Sequence, residues 1–346
     1  MPRIAPFEAL VYDPAVVGSL DRVTAPPYDV ISDARRLEYL ADRHNIVHID
    51  LAEGPESGPD NRYDRAAALL DSWVREGVLR RLVDARYFAY EMRVRAPTGD
   101  RSVLGLLSAM TLEDWGAGVL PHERTMPGPV GDRLRLLRAT RTYLSAVYGT
   151  ITGPSPSFAD LLTRASQGEP LLEMMDGQSV LHRIWSIPGT TPIADWIEDE
   201  ALLIADGHHR YTTALHYARE RRAEEGPGPW DRILTLIVDA GTENLSVHPF
   251  HRIQAGGRPP AVGEPVDDLA AVLARVSDDE PTVGIVTRQR DGIEFRVWVL
   301  AGGPPAVRAL HDELLDDNGS SQTGSIAGIL DERWWANFQR LVRRNG

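Results

Sequence analysis

The chain of 346 residues contains no cysteine and no lysine. Without cysteine, disulfide bonds, thiolate nucleophiles and cysteine-bound metals are all excluded. No apolar run approaches the roughly 18 residues that a membrane span requires, and the first residues lack the apolar stretch of a signal peptide. We therefore expect a cytoplasmic protein that has no membrane partner.

Positive charge is also in short supply. The 37 basic side chains stand against 50 acidic ones, which gives a formal net charge of −13. Because a nucleic-acid-binding surface needs an excess of basic groups, we expect no nucleic-acid partner, although a local basic pocket is compatible with this balance. The composition is otherwise that of an ordinary globular protein. The composition does not determine the oligomeric state, and a homo-oligomer is one of the states it allows.

Helical and strand patterns alternate along the chain and predict an α/β (mixed α+β) fold, in which a mixed sheet is flanked by helices. Residues 45–53 alternate in side-chain character, which predicts a strand. Residues 87–95 and 102–111 flank a Pro-Thr-Gly-Asp turn and predict a hairpin. Asn61 is predicted to cap a helix that Gly77 ends.

A Gly- and Pro-rich stretch at residues 255–260 is the clearest linker in the chain. It predicts two parts. Residues 1–255 would form the larger domain, which carries the motifs described below, and residues 256–346 would form a smaller α+β region.

The central motif is a run of five residues between an apolar stretch and a helix predicted to reach about Glu225: Asp206, Gly207, His208, His209 and Arg210. A helix start offers backbone N–H groups and a positive dipole end to an anion. Gly207 permits a sharp turn and a close approach, while arginine and histidine bind phosphate oxygens or move protons. The motif therefore predicts a phosphate site. Alternatively, Asp206 only caps the helix and both histidines are exposed.

Two further loops carry acidic side chains. Pro26 and Pro27 make a rigid loop that delivers Tyr28 and Asp29 to a defined place, so Asp29 is a candidate catalytic base or else caps a turn. The loop at residues 120–126 contains His122, Glu123, Arg124 and Thr125 in succession. This combination suits proton transfer or ion coordination, and the alternative is a solvated, charged loop.

Several motifs together resemble the bacterial and archaeal family named domain of unknown function 1015. They are Ala25-Pro26-Pro27-Tyr28-Asp29-Val30-Ile31, Pro121-His122-Glu123-Arg124-Thr125, Asp132-Arg133-Leu134, His182-Arg183-Ile184-Trp185, Ala205-Asp206-Gly207-His208-His209-Arg210-Tyr211 and His251-Arg252. The resemblance covers roughly residues 4–255. The chain lacks the late lysine-containing Met-Pro…Lys-Ser-Thr…Phe-Tyr-Pro-Lys segment of that family, so any lysine supplied by the segment is absent here.

The run from Gly207 to Arg210 is also similar to the Gly-x-x-Arg phosphate motif of the ParB/sulfiredoxin superfamily, which includes nucleotide-hydrolysing partition proteins, sulfiredoxins and free-serine kinases. The similarity implies a nucleotide-binding core of that type with large insertions. Sulfiredoxins carry a reactive cysteine after the glycine, where this chain has His208, so sulfinic-acid reduction is excluded. In the serine kinases an acidic residue of an N-terminal loop acts as the base, and Asp29 is similarly placed.

These motifs lead to the hypothesis of a nucleotide-dependent phosphotransferase, a kinase that uses ATP or ADP with Mg²⁺ to phosphorylate a small hydroxylated metabolite such as free serine. The catalytic candidates are Asp29, His122, Glu123, Asp206 and His209. The nucleotide-binding candidates are Arg124, Thr125, Gly207, His208, His209 and Arg210, and the Mg²⁺ candidates are Glu123 and Asp206. Two alternatives stay open: a non-catalytic regulatory module that binds nucleotide or phosphate, and a metal-dependent phosphohydrolase with His122, His208 and His209 as ligands.

Overall fold

A computed structural model gives the fold. It describes residues 2–94, 101–121, 125, 127–151, 156–193, 201–239, 250–253, 263–275, 282–289, 292–299 and 324–327. The chain divides into two compact units, Met1–Leu245 and Ser246–Gly346.

The first unit mixes helices and strands along its whole length. Its helices are α1 (Pro14–Val17), α2 (Leu20–Val23), α3 (Asp33–Leu40), α4 (Val47–Asp50), α5 (Arg62–Arg75), α6 (Pro127–Thr140), α7 (Pro156–Ala165) and α8 (His208–Glu225). Its strands are β1 (Ile4–Ala5), β2 (Leu10–Tyr12), β3 (Leu79–Arg81), β4 (Arg86–Val94), β5 (Arg101–Thr111), β6 (Val119–Leu120), β7 (Val147–Ile151), β8 (Leu172–Met175), β9 (Val180–Pro188), β10 (Leu202–Asp206) and β11 (Arg232–Asp239). Short 3₁₀ turns cover Tyr28–Val30 and Pro229–Asp231.

Most of these strands belong to one mixed sheet. Their order is β6-β10-β7-β11-β5-β4-β9-β8, with β1 beside β5. The pairs β6/β10 and β7/β11 are parallel, and the other pairs are antiparallel. The strands β2 and β3 form a separate antiparallel pair. The predicted mixed sheet with flanking helices is therefore confirmed.

The register between β10 and β7 determines what lies beside the start of α8. These antiparallel strands pair Leu202 with Ile151 and Asp206 with Tyr148, so β10 ends where β7 begins. The residues that precede β7, Ser145 and Ala146, therefore lie next to the first turn of α8.

One face of α8 packs into the main core. Tyr211, Ala214, Leu215 and Ala218 are buried there together with apolar residues of β10 and β11. Their spacing of i, i+3, i+4 and i+7 is the apolar stripe of an amphipathic helix. Removing this surface from water favours folding by about 25 cal/mol for each Å² buried, so the stripe holds α8 against the sheet.

The helix α6 joins α8 to a second core. Leu134 and Leu137 of α6 pack against Tyr217 of α8. Leu136 of α6 instead packs with Trp73 and other buried residues of α4, α5 and β3. The predicted cap of α5 is confirmed, because the Asn61 side chain accepts hydrogen bonds from the N–H groups of residues 63 and 64 at 3.0 and 3.1 Å.

The predicted strand at residues 45–53 is wrong, because its central residues form α4. The side chain of the buried Asn45 accepts a hydrogen bond from the N–H of Val47 at 3.0 Å and donates one to the carbonyl of Thr24 at 3.1 Å. Such local bonds between a side chain and the backbone compete with strand pairing and favour a helical turn. As a result, Asp50 stands at the end of α4, within hydrogen-bond distance of α6.

The described part of the second unit contains two small sheets and one helix. The strands β12 (Phe250–Ile253) and β16 (Gly324–Ala327) pair antiparallel. Three antiparallel strands lie in the order β13 (Glu264–Val266), β15 (Gly292–Val299) and β14 (Thr282–Gln289), and α9 covers Leu269–Arg275. The predicted linker at 255–260 lies outside the described residues. Among the described helices, none has both the length and the hydropathy needed to cross a membrane.

Candidate functional site

The first turn of α8 follows β10 directly through Gly207. This glycine is the N-cap residue and has φ of 94° and ψ of 29°, a left-handed conformation that favours glycine. A Cβ added at Gly207 would lie 3.0 Å from Cζ of Arg210, so the guanidinium packs against the bare Cα. Because Gly207 is the N-cap residue and no side chain caps this helix, Asp206 does not cap α8, and its carboxylate pairs with Arg210 instead.

Arg210 holds the helix start to the sheet. Its Nη2 donates to Asp206, and its Nη1 donates to the carbonyl of Ala146 and, at 3.3 Å, to the hydroxyl of Ser145. The arginine side chain is only 10% exposed. Within the described residues, its buried Nε has no hydrogen-bond partner. Buried donors are nearly always paired, so an unpaired one is unusual. This N–H lies where the sequence predicts a phosphate, which would be an acceptor for it.

Asp29 reaches the same place from the other end of the sequence. The prolines before it lead into the 3₁₀ turn Tyr28–Val30, which fixes the direction of the carboxylate. One side of Asp29 stays open to solvent. The surrounding protein and the charge of Asp206 raise the pKa of Asp29, while the charges of Arg210 and His209 act in the opposite direction. A carboxylate with a raised pKa is suited to accept a proton near neutral pH.

Asp50 and Arg133 form a buried ion pair next to Arg210. The guanidinium of Arg133 donates to a carboxylate oxygen and to the backbone carbonyl of Asp50, at 2.8 and 2.9 Å. The two side chains are 10% and 13% exposed. Burial raises the pKa of Asp50, and the charges of Arg133 and Arg210 partly offset that rise. The same residues contribute to a cavity of about 50 Å³ that Arg210 and Tyr28 also line.

Tyr28 links the 3₁₀ turn to this ion pair. Cζ of Arg133 lies 4.2 Å from the centre of the Tyr28 ring, a cation–π contact. Burial and the neighbouring Asp29 raise the pKa of the Tyr28 hydroxyl to about 12. The tyrosine therefore stays protonated at neutral pH and positions Asp29 through the turn that both residues share.

Arg133 also binds a second carboxylate, that of the preceding residue, Asp132. Asp132 accepts hydrogen bonds from Arg133 at 2.6 and 2.8 Å, from Arg62 at 2.6 Å and from the hydroxyl of Tyr63 at 2.8 Å. Partial burial acts to raise the pKa of Asp132, but the arginine charges and these hydrogen bonds outweigh it and lower the pKa. Asp132 is thus a fixed negative charge and does not carry protons at neutral pH.

These charges border a cavity of about 450 Å³ among α3, α4, α5 and α6. Its charged lining residues are Asp33, Arg36, Asp50, Glu53, Arg62, Asp132 and Arg133. The volume is in the range of small-molecule sites. Since Asp50 and Arg133 line both this cavity and the smaller one at Arg210, the two spaces meet at the buried ion pair.

The two histidines of the motif point to different surroundings. His208 is buried and stacks on Trp115, with ring centres 5.9 Å apart and planes 16° from parallel. His209 is half-buried and its charge acts on Asp29. The structure thus brings Asp29, Asp206 and His209 together. It gives His208 a packing contact instead, so the role of His208 in phosphate binding stays a prediction.

The predicted loop at residues 120–126 is only partly described. His122, Glu123 and Arg124 lie outside the described residues, so their predicted roles stay predictions. Thr125 is described and half-buried. Among the described residues, no group of three or more histidine, aspartate or glutamate side chains is placed to hold a metal ion.

The residues that sequence reasoning missed are those around the cavities. Arg133 occurs in the Asp132-Arg133-Leu134 motif, but the motif alone predicts no role for it, and the alternation at residues 45–53 predicts that Asp50 lies in a strand. The signal that could have revealed them is weak, because the pair joins residues 83 positions apart in sequence.

Comparison with known protein families identifies the family of this chain. A family model described as Protein of unknown function (DUF1015) matches residues 4–287, further along the chain than the resemblance in its motifs reaches. No curated protein and no solved structure matches the chain. The similarity to the ParB/sulfiredoxin superfamily therefore rests on the run from Gly207 to Arg210 alone.

Proposed function

This chain belongs to the DUF1015 family of proteins of unknown function, and we propose that it is a nucleotide-dependent phosphotransferase that acts on the hydroxyl group of a small metabolite. The observation that carries the proposal is that Asp29, from a distant part of the sequence, lies beside Asp206 and Arg210 at the start of α8. A free amino acid such as serine is one acceptor of this class.

The phosphate groups of the nucleotide would lie at the start of α8. The positive end of the helix dipole and the first-turn N–H groups favour an anion there. Arg210 brings a positive charge and a buried Nε–H that lacks an acceptor among the described residues. A phosphate oxygen is an acceptor of the required kind, so these residues are suited to ATP or ADP.

Mg²⁺ would use the carboxylate of Asp206. This cation is usually bound through one or two protein carboxylates, with water and phosphate oxygens completing its shell. Asp206 lies close enough to Asp29 for its charge to raise the pKa of Asp29, so the proposed metal ligand and the proposed base are neighbours. Glu123 is the second ligand that the sequence predicts. When bound, the nucleotide would supply the phosphoryl group, and Mg²⁺ would neutralise negative charge on the phosphate oxygens.

Asp29 would act as the general base. It would take the proton of the acceptor hydroxyl while the hydroxyl oxygen forms a bond to the terminal phosphorus of the nucleotide. At the same time, the bond between that phosphorus and the bridging oxygen breaks, and the shortened nucleotide leaves with the electron pair. The raised pKa of Asp29 makes the carboxylate a better proton acceptor than an ordinary aspartate. Tyr28 and Arg133 hold the 3₁₀ turn and so position this carboxylate.

The test measures nucleotide binding by calorimetry and phosphoryl transfer to a panel of hydroxylated metabolites, with Mg²⁺ present. Asp29→Asn should lower kcat by about 10²–10⁴-fold, the usual contribution of a general base, and leave nucleotide affinity unchanged. Asp71→Asn, a substitution of an exposed aspartate on α5, is the matched control and should change neither quantity.

Two results would contradict the proposal. If neither ATP nor ADP binds, the phosphate site at α8 is wrong. If a nucleotide binds but no acceptor is phosphorylated, and Asp29→Asn has no effect on any measured property, then the chain is a non-catalytic nucleotide-binding module.

A further inference from the structure

The large cavity has a lining of mixed charge that an apolar ligand would not suit. Arg36, Arg62 and Arg133 line it together with four carboxylates, and a single tyrosine and a few aliphatic residues complete the wall. Desolvating such groups is costly unless each finds a partner. The cavity therefore favours a small polar ligand that brings its own charge.

Glu56 places a carboxylate between Arg62, which lines the cavity, and Arg135, which does not. One oxygen accepts from Nη2 of Arg62 at 2.9 Å and the other accepts from Nη1 of Arg135 at 3.1 Å. The Glu56 side chain is 56% exposed and belongs to the loop at residues 51–61. Exposed ion pairs of this kind contribute little to stability, so another anion can replace this carboxylate at little cost.

Arg62 has donors left for such an anion. Its Nη2 lies within 2.6 to 3.0 Å of acceptors on Asp132, Glu56 and Tyr63. Within the part of the chain that the structure describes, the hydrogen bonds of Arg62 all leave from this atom. An arginine has further N–H groups at Nε and Nη1, and these are available to a ligand.

Arg36 of α3 is also paired with an exposed glutamate of this loop. Two of its nitrogens donate to the carbonyl of Leu51, at 2.7 and 3.2 Å, which fixes the guanidinium. Its Nη1 donates to Glu53 at 3.2 Å, and that glutamate side chain is 65% exposed. The loop at 51–61 thus supplies one exposed carboxylate to Arg36 and another to Arg62.

We propose that this cavity binds a small metabolite through a carboxylate or phosphate group, and that Glu53 and Glu56 occupy its arginines until that anion displaces them. Arg36 and Arg62 hold the anionic group, and the cavity continues to Asp50 and Arg133, which also line the space at Arg210. That the metabolite is the phosphoryl acceptor rests on the proposed function, whereas the anion site does not.

The experiment titrates two simple anions, malonate and inorganic phosphate, into the full chain by calorimetry at low ionic strength and without nucleotide. The double variant Glu53→Gln/Glu56→Gln removes the competing carboxylates and should bind the anion about three- to tenfold more tightly than the unaltered chain. Preference for malonate or for phosphate tells whether the site is built for a carboxylate or a phosphate. Adding Arg62→Gln to the double variant should reverse the gain.

The control is Glu38→Gln/Glu76→Gln, which removes the same charge from two exposed glutamates that do not line the cavity. Equal tightening in the control shows a general charge effect and overturns the proposal. So does the absence of binding of both anions to the Glu53→Gln/Glu56→Gln variant, or a gain that Arg62→Gln leaves intact. Because no nucleotide is present, these outcomes are independent of whether phosphoryl transfer is found.

Discussion

Asp29 binds its proton more tightly than an isolated aspartate, because burial and the charge of Asp206 both disfavour its ionised form. A general base works only when deprotonated, so turnover should fall as the pH decreases through this raised pKa. We predict that the acid limb of the pH profile of kcat/KM lies above the ordinary range of an aspartate. Asp206→Asn removes one cause of the shift and should lower the pKa of Asp29 in the chain without Mg²⁺ or nucleotide, whereas its turnover should fall because the proposed Mg²⁺ ligand is lost.

One measurement is the pH profile of kcat/KM for the unaltered chain, with Asp71→Asn as control. The other is the titration of Asp29 by NMR, without Mg²⁺ or nucleotide, in the unaltered chain and in Asp206→Asn. An acid limb at the ordinary aspartate value would contradict the role of Asp29. An Asp29 pKa that stays unchanged or rises in Asp206→Asn would contradict the electrostatic coupling of the two carboxylates.

Arg133 neutralises the largely buried carboxylates of Asp50 and Asp132, so replacing it should lower the free energy of unfolding. We predict that Arg133→Met lowers the free energy of unfolding by about 3–5 kcal/mol, because Asp50 is left as an uncompensated buried charge. Arg219→Met is the control, since Arg219 pairs with Asp114 in solvent, and it should change that free energy by less than about 0.5 kcal/mol. Urea denaturation measures both, and equal effects would show that the Arg133 pairs do not stabilise the fold.

At the scale of single elements, the start of α8 depends on Gly207 for two separable reasons. We predict that Gly207→Ala lowers the free energy of unfolding by about 1–2 kcal/mol for the left-handed backbone and by about 1–3 kcal/mol more for crowding against Arg210. Gly77→Ala is the matched control, because Gly77 has φ of 77° and open space where a Cβ would stand. It should show the backbone cost alone, and equal losses in the two variants would refute the crowding.

How far each element could be predicted depends on where its determining contacts lie. The helix α8 and the Asn61 cap follow from neighbouring residues, and both are confirmed. The helix α4 could not be predicted from alternation, because Asn45 fixes it through bonds to residues 22 and 24 as well as to Val47. Local patterns contain no information on such distant partners.

The same reasoning applies to the site. The motif at Asp206 to Arg210 and the loop at Asp29 were each found from sequence, but their proximity comes from the pairing of β10 with β7 and from the contact between Tyr28 and Arg133. The cavity could not be foreseen at all, since its lining comes from residues 33 to 136 on four helices and the loop between α4 and α5.

At the scale of the whole molecule, a net charge of −13 repels an approaching nucleotide. Salt shortens the reach of this field from about 30 Å at 10 mM to about 8 Å at 150 mM, while contacts with Arg210 over a few ångströms are screened less. We therefore predict that the association rate constant of ATP increases about two- to fivefold over that range. Stopped-flow binding measures it, uncharged adenosine serves as control, and a decrease would mean that local positive charge dominates the encounter.

Trp115 gives the start of α8 an optical reporter. Its indole stacks on His208, and its ring centre lies 4.4 Å from that of Tyr211. Dyes that attach to cysteine or lysine side chains have no point of attachment on this chain. The emission of Trp115, isolated by comparing the chain with Trp115→Phe, would therefore follow events at the first turn of α8 with a fluorophore that the fold itself supplies.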